Sequence, residues 1–352
     1  MCRVAESDRW QSGGMTVAPR RRWLAGAIVA AVAGPLVLFA MGGVAVANRQ
    51  PILDRITAAN VALTPTLQAY EHDTTMTAQG RLLFQASRPV IAPAASFNAE
   101  CGTSIEGSGV LGCYLPTTAR ILLFDVTDPR LDGLEQSVAA HEMLHAAWAR
   151  MGTTDRAALA KPLEAEATRL ERDPAFATLM SGYAHAEPGE RVNELHSIIG
   201  TQVASLPPVL ERHYARYFSD RPAVAAMYQK AEAVFQGIQA TAAQLADQLT
   251  TLKGTIDGQY ASYTNGYDSL NSDIARFNKR AANGSISTQK QFSRERAGLV
   301  KRRDDLDALY ATIQTEKTTW DATRAQLEAI NADAEELNES VNISPYSGID
   351  PG

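Results

Sequence analysis

The chain has 352 residues, enough for two domains at roughly 100–200 residues each, and its 45 % hydrophobic and 20 % charged content describes a folded protein. A net charge of −6 gives no basic footprint for nucleic acid, and no Lys/Arg stripe stands out beyond the N-terminal one. These numbers exclude an intrinsically disordered chain and argue against a nucleic-acid-binding one.

Arg20, Arg21 and Arg22 precede an uncharged run from Trp23 to Ala47. At roughly 25 residues it exceeds the ~20 that cross a bilayer as a helix. Arginines concentrate before the run (Arg3, Arg9, Arg20–Arg22), with Arg49 and Arg55 after it. Residues 1–22 are therefore expected to form a cytoplasmic tail and 23–47 a single-pass signal-anchor, with the remainder extracytoplasmic at the cell membrane. The alternative is a signal peptide cleaved near Ala47, after the small-x-small Ala45-Val46-Ala47, which would give a secreted protein. The run is longer than the apolar core of a usual signal peptide, which favours the anchor.

Cys2 falls in the tail, leaving Cys101 and Cys113 as the pair outside. The Gly/Ser-rich GTSIEGSGVLG between them reads as a hairpin turn. An oxidising compartment favours a disulfide there, worth up to ~3 kcal/mol; two buried free thiols are the alternative.

A domain is expected over residues 48–221. DRITAANVALTPTL predicts a short juxtamembrane helix. Between Gly80 and Val126 the signal turns to strands, in RLLFQASRPVI and in the apolar ARILLFDV. Helices follow: DGLEQSVAAHEMLHAAWARMG, with Asp132 as N-cap and Gly152 as C-cap; TDRAALAKPLEAEATRLER, in which Pro162 demands a break or a first-turn position; GERVNELHSIIGTQVASL; and VLERHYARYF.

Over residues 222–341 the period becomes seven. Phe235, Ala242, Leu249, Ile256, Tyr263, Leu270 and Phe277 recur at that spacing, as do Phe292, Leu299, Leu306, Ile313, Trp320, Leu327, Ala334 and Val341. Leu245, Leu252, Ile274, Leu309, Ile330 and Leu337 fill a second seam. Two heptad arms broken at Asn283-Gly284 predict an antiparallel coiled-coil hairpin. Arms of about 50 residues would reach some 75 Å. Residues 342–352 read as a disordered tail.

One motif carries chemistry. His141 and His145 are four residues apart, so on a helix their imidazoles share a face and can chelate one ion. Glu142 projects about 100° away. There it can take a proton from a water whose pKa a bound zinc lowers to ≈ 7.

HEMLH on a helix, after the strand ARILLFDV, resembles the zincin metallopeptidases. The residues after His145, AAWARMG, depart from the metzincin pattern H-E-x-x-H-x-x-G-x-x-H. Gluzincins draw their third ligand from a glutamate on a later helix, and NELHS, Asn193 to Ser197, resembles that setting. The resemblance spans Leu122 to Phe218 at its widest. It implies a zinc held by His141, His145 and Glu194, with Glu142 as general base. Rivals for the third position are Glu190, His196, His185 and His213; Glu190 shares a face with Glu194 and could instead orient a histidine. Tyr183, Tyr214 and Tyr217 are candidates to steady an oxyanion. The resemblance also implies that the strand Ile121–Val126 binds an extended peptide by adding it as a further strand.

The expected fold class is α+β: a small, mainly helical zincin-like domain with a short sheet, then an all-α antiparallel hairpin, behind an N-terminal transmembrane helix. The expected function is a membrane-anchored, extracytoplasmic zinc peptidase acting on a peptide or protein, with the coiled coil open to a protein partner. The alternative is a non-catalytic envelope interaction or assembly protein whose working part is that arm, with a structural or absent metal site.

Overall fold

The computed structural model describes residues 49–102, 104–105, 108–109, 111–186 and 189–341. The expected tail, membrane segment and disordered end lie outside these residues. No helix among the described residues is long and apolar enough to cross a membrane. The chain divides into two compact units, 1–56 and 57–352; the sheet, the candidate metal centre and the long hairpin all belong to the second. It is mostly helical, with a small three-stranded sheet and two long C-terminal helices.

The helix expected near residues 54–67 is two helices, α1 (Arg49–Asn60) and α2 (Pro65–Asp73). Thr64 separates them: its side chain accepts from Leu67 N, and Pro65 starts the second helix where no N–H is needed. The strand expected at RLLFQASRPVI is mostly helix α3 (Ala78–Ala86), with only Val90–Ala92 extended as β1. Thr77 caps α3, and Gly80, Leu83 and Phe84 are buried at helical spacing, which decides the period against the β-favouring composition.

After α4 (Ala94–Cys101) come the two-residue strands β2 (Ser104–Ile105) and β3 (Ser108–Gly109), paired antiparallel where the Gly/Ser-rich turn was expected. β4 (Gly112–Leu115) and β5 (Arg120–Phe124) complete the main sheet, in the order β1-β5-β4. β5 runs parallel to β1 (Val90↔Leu122) and antiparallel to β4 (Cys113↔Leu122). Ile121 to Phe124 are buried on both faces, as a central strand requires. Cys101 and Cys113 are joined, with Sγ–Sγ 1.98 Å and Cα–Cα 5.9 Å, tying the end of α4 to β4.

Helix α5 (Leu134–Arg150) carries the two histidines. It starts after Gly133, whose φ of +100° turns the chain, so Asp132 is not its cap. Gly152 has an extended backbone and opens α6 (Thr153–Leu170) rather than closing α5. Pro162 lies inside α6 without breaking it: Leu159 and Leu163 are buried beside it, and that packing offsets the lost backbone bond. A further helix, α7 (Pro174–Ala186), follows, with Met180 in the core. Then come α8 (Arg191–Gln202) and α9 (Pro208–Tyr214). Beyond α9, Phe218 bridges to Met76 instead of continuing the helix.

The hairpin consists of α10 (Arg221–Ala282) and α11 (Gln289–Ser340). The cross-arm partners show it to be antiparallel: Phe277 meets Phe292 at 5.1 Å between ring centroids, Tyr263 meets Tyr310 at 5.2 Å, and Leu249 shares a cluster with Leu327. Ile274 does not join the second seam; it is 36 % exposed. At the base Leu131 and Leu134 pack with Ala231, Leu337 and Val341, and Arg130 pairs with Asp333 at 2.6 Å. Buried Arg221 binds Glu211 at 2.7 Å and donates to the carbonyl of Ala204 at 2.8 Å. The start of α10 thus enters the main core through Val224, while the rest of the hairpin base forms its own cluster with Leu131 and Leu134.

Candidate metal centre

α5 buries Ala139, Ala140, Met143, Leu144 and Ala147 in the main core, which leaves the face of His141 and His145 for α8. The two helices approach closely because Gly200 has no side chain. A Cβ there would stand 2.5 Å from Leu144 Cδ1 and 2.7 Å from Tyr214 Cε1. Glu194 is thereby brought over the histidines, itself 3 % exposed.

The donor atoms converge. His141 Nε2 and His145 Nε2 lie 3.0 Å apart. Glu194 Oε1 is 3.4 Å from His145 Nε2, and Oε2 is 3.9 Å from His141 Nε2. All three donors fall within 4.8 Å of one another, so this group could hold a metal ion. Donors bound at about 2.0–2.2 Å around a tetrahedral ion stand ~3.3 Å apart, which these separations fit.

The protonation state agrees. Asn193 Nδ2 donates to Glu190 Oε2 at 3.1 Å, which turns its Oδ1 to the Nδ1 of His145 at 3.0 Å. Oδ1 can only accept, so His145 carries its proton on Nδ1 and presents a bare Nε2 lone pair towards His141 and Glu194. Burial holds the His145 imidazole down at about 4 and that of His141 well below its usual 6.5, so both are neutral, the form that ligates. Two imidazole nitrogens at 3.0 Å need a proton or a cation between them.

Glu142 is 4 % exposed and lies beneath β4. A Cβ on Gly112 would be 2.7 Å from Glu142 Oε1 and 2.6 Å from Val138 Cγ1. The strand backbone thus passes directly over the carboxylate, and only glycine permits it.

The other sequence candidates separate cleanly. Glu190 reaches His145 through Asn193 rather than the donor cluster. His196 is fully buried and points elsewhere, its Nε2 2.9 Å from His213 Nε2, with Tyr214 stacked and Trp148 tilted against it. Burial holds both of these imidazoles low, His213 at about 4, with Arg216 against His213 adding to the effect. Tyr214 donates its hydroxyl to the His196 carbonyl at 2.8 Å and is fully buried, so it is not placed for an oxyanion. Tyr217 packs against His196 and His213. The side chains of Tyr183 and His185 lie outside the described residues.

Two residues escaped the sequence reading. Asn193 had a signal, standing beside Glu194 and three positions after Glu190 on one helix face. Gly112 had none beyond its place next to Cys113. β5 is the central strand with both edges taken, so it cannot receive a peptide. That part of the reading is corrected: the edge strands are β1 and β4, and β4 is the one that lies over Glu142. Comparison with protein-family models, curated proteins and solved structures returned no match.

Proposed function

We propose that this chain is a membrane-anchored zinc peptidase acting outside the cytoplasm, of the gluzincin kind within the zincins. The observation that carries the reading is the convergence of His141, His145 and Glu194 beside a buried Glu142 that lies under an edge strand. The arginine-flanked run 23–47 and the Cys101–Cys113 pair support the location.

His141, His145 and Glu194 would hold the ion. A bound Zn²⁺ supplies a Lewis acid that polarises a carbonyl and acidifies a water. The chain's own residues do the rest. Asn193 and Glu190 keep His145 in the Nδ1–H form, so its Nε2 stays available. Glu142 takes a proton from the attacking water and returns it to the departing amine. Among the described residues β4 pairs only with β5, which leaves its outer edge for an extended peptide. Gly112 brings that edge within reach of Glu142.

Metal content and peptide hydrolysis of the purified chain test this. The expected outcome is one zinc per chain, with hydrolysis lost on chelation and restored by zinc. Hydrolysis that survives complete removal of metal would overturn the proposal.

A further inference from the structure

We propose that the tip of the hairpin is a docking surface for an anionic lipid bilayer. Folding back α11 on α10 gathers Arg276, Lys279, Arg280, Lys290, Arg294, Arg296, Lys301, Arg302 and Arg303 at one end of the rod, with Glu295 as the one acid between residues 276 and 303. The rest of α11 has the opposite sign: residues 304–341 hold ten Asp/Glu against Lys317 and Arg324. In a chain of net charge −6, the cations are concentrated where the rod ends.

Some of these charges are neutralised locally. Arg280 pairs with Glu295 at 3.0 Å, Lys301 with Asp305 at 2.8 Å and Arg303 with Asp304 at 2.7 Å, and Arg276 and Arg302 both meet Asp273. Lys279, Lys290, Arg294 and Arg296 are exposed, and among the described residues none has a carboxylate oxygen within 4.0 Å. Helix stability does not explain them all. The first turn of α11 has no acid, although a helix start favours one, and Lys290 stands there against the dipole. Lys279 and Arg280 sit where a helix end favours cations, but a local rule broken at Lys290 points to a use for the charge.

The surroundings select the partner. Of the large apolar side chains exposed on the hairpin, Tyr260 and Tyr310 lie down the shaft and Ile274 stands at the margin of the tip, while none in residues 276–303 is exposed. A second copy docking at the tip would bury little apolar surface. A convex end with a net excess of cations instead suits a flat polyanionic surface, where each Lys or Arg near anionic lipid contributes about 1 kcal/mol. This inference is independent of the metal centre.

The test uses the full chain held in phosphatidylcholine nanodiscs, titrated with vesicles of phosphatidylcholine alone or mixed with phosphatidylglycerol, with binding read by flotation. Binding is expected only to the anionic vesicles and should fall with salt. Replacing Lys279, Lys290, Arg294 and Arg296 together by Gln should weaken it on the order of 10²–10³-fold. Among the described residues those side chains have no carboxylate oxygen within 4.0 Å, so far-UV circular dichroism should stay unchanged, and Lys253→Gln on the shaft should bind as the parent does. Equal binding by the quadruple variant, or equal binding to neutral vesicles, would overturn the proposal. Binding to inorganic polyphosphate without binding to anionic vesicles would overturn it too, in favour of a soluble polyanion.

Discussion

The domain of the candidate metal centre and the hairpin reach order by opposite routes. In the domain, the contacts that shape the centre join residues far apart in the chain: Tyr70 with Glu135, Gly112 with Glu142, His145 with Asn193, Gly200 with Leu144. In the hairpin, a seven-residue period and one turn assign almost every partner, from Phe277 with Phe292 at the tip to Leu249 with Leu327 near the base. The first arrangement is specific but depends on each member. The second is redundant, and a local loss stays local. A site whose geometry must hold to fractions of an ångström needs the first kind of order.

That contrast breaks most sharply at the donors. His141→Ala, His145→Ala and Glu194→Ala should each abolish stoichiometric metal binding while the helical signal of the hairpin is retained. Elemental analysis beside circular dichroism would show it; loss of both signals together would mean that the two regions are not energetically distinct. The converse change is Leu327→Ala, in a fully buried seam position. It should cost ~2–5 kcal/mol of stability in denaturant unfolding and leave metal affinity untouched.

Asn193→Ala sharpens the account of the domain. It removes no donor, yet frees the tautomer and ring orientation of His145, so metal affinity should fall by about 10–100-fold. Glu190→Gln should act in the same direction through Asn193. Competition with a metal-sensitive dye would measure both, and unchanged affinity would mean that His145 is positioned by packing alone.

The smallest effect concerns pH. Folding holds His196 and His213 neutral, the latter down to about 4, whereas each takes a proton near its usual 6.5 when unfolded. Above 6.5 neither state binds these protons. As pH falls from 6.5 towards 4 the unfolded chain binds them first, so stability should decline through that window. Melting temperatures across it would show a shallower slope for His213→Asn than for the parent.

How much was legible follows from the same contrast. The hairpin could be read because burial repeats at a fixed interval, and the histidine pair because two ligands four apart need only one helix. Glu194 was reachable only through a resemblance, since nothing local says which carboxylate a distant helix will deliver. RLLFQA read as strand because its composition favours β, while a Thr77 cap and burial at i, i+3 and i+4 made it helix. The assignment of substrate to β5 failed because strand order is a tertiary property; the sheet places β4 at the edge. The cationic tip escaped notice for a related reason. Lys290 to Arg303 stand on one arm, and Arg276, Lys279 and Arg280 join them only when the rod closes.

The central claim is that Glu142 moves protons while His141, His145 and Glu194 hold the metal. Glu142→Gln separates the two roles, because the amide keeps the size of the side chain beneath Gly112 and loses only its basicity. Zinc stoichiometry and peptide turnover should be measured on the same purified sample. The expected result is full zinc occupancy with turnover reduced by about 10²–10⁴-fold. Full turnover by the zinc-loaded variant would contradict the mechanism.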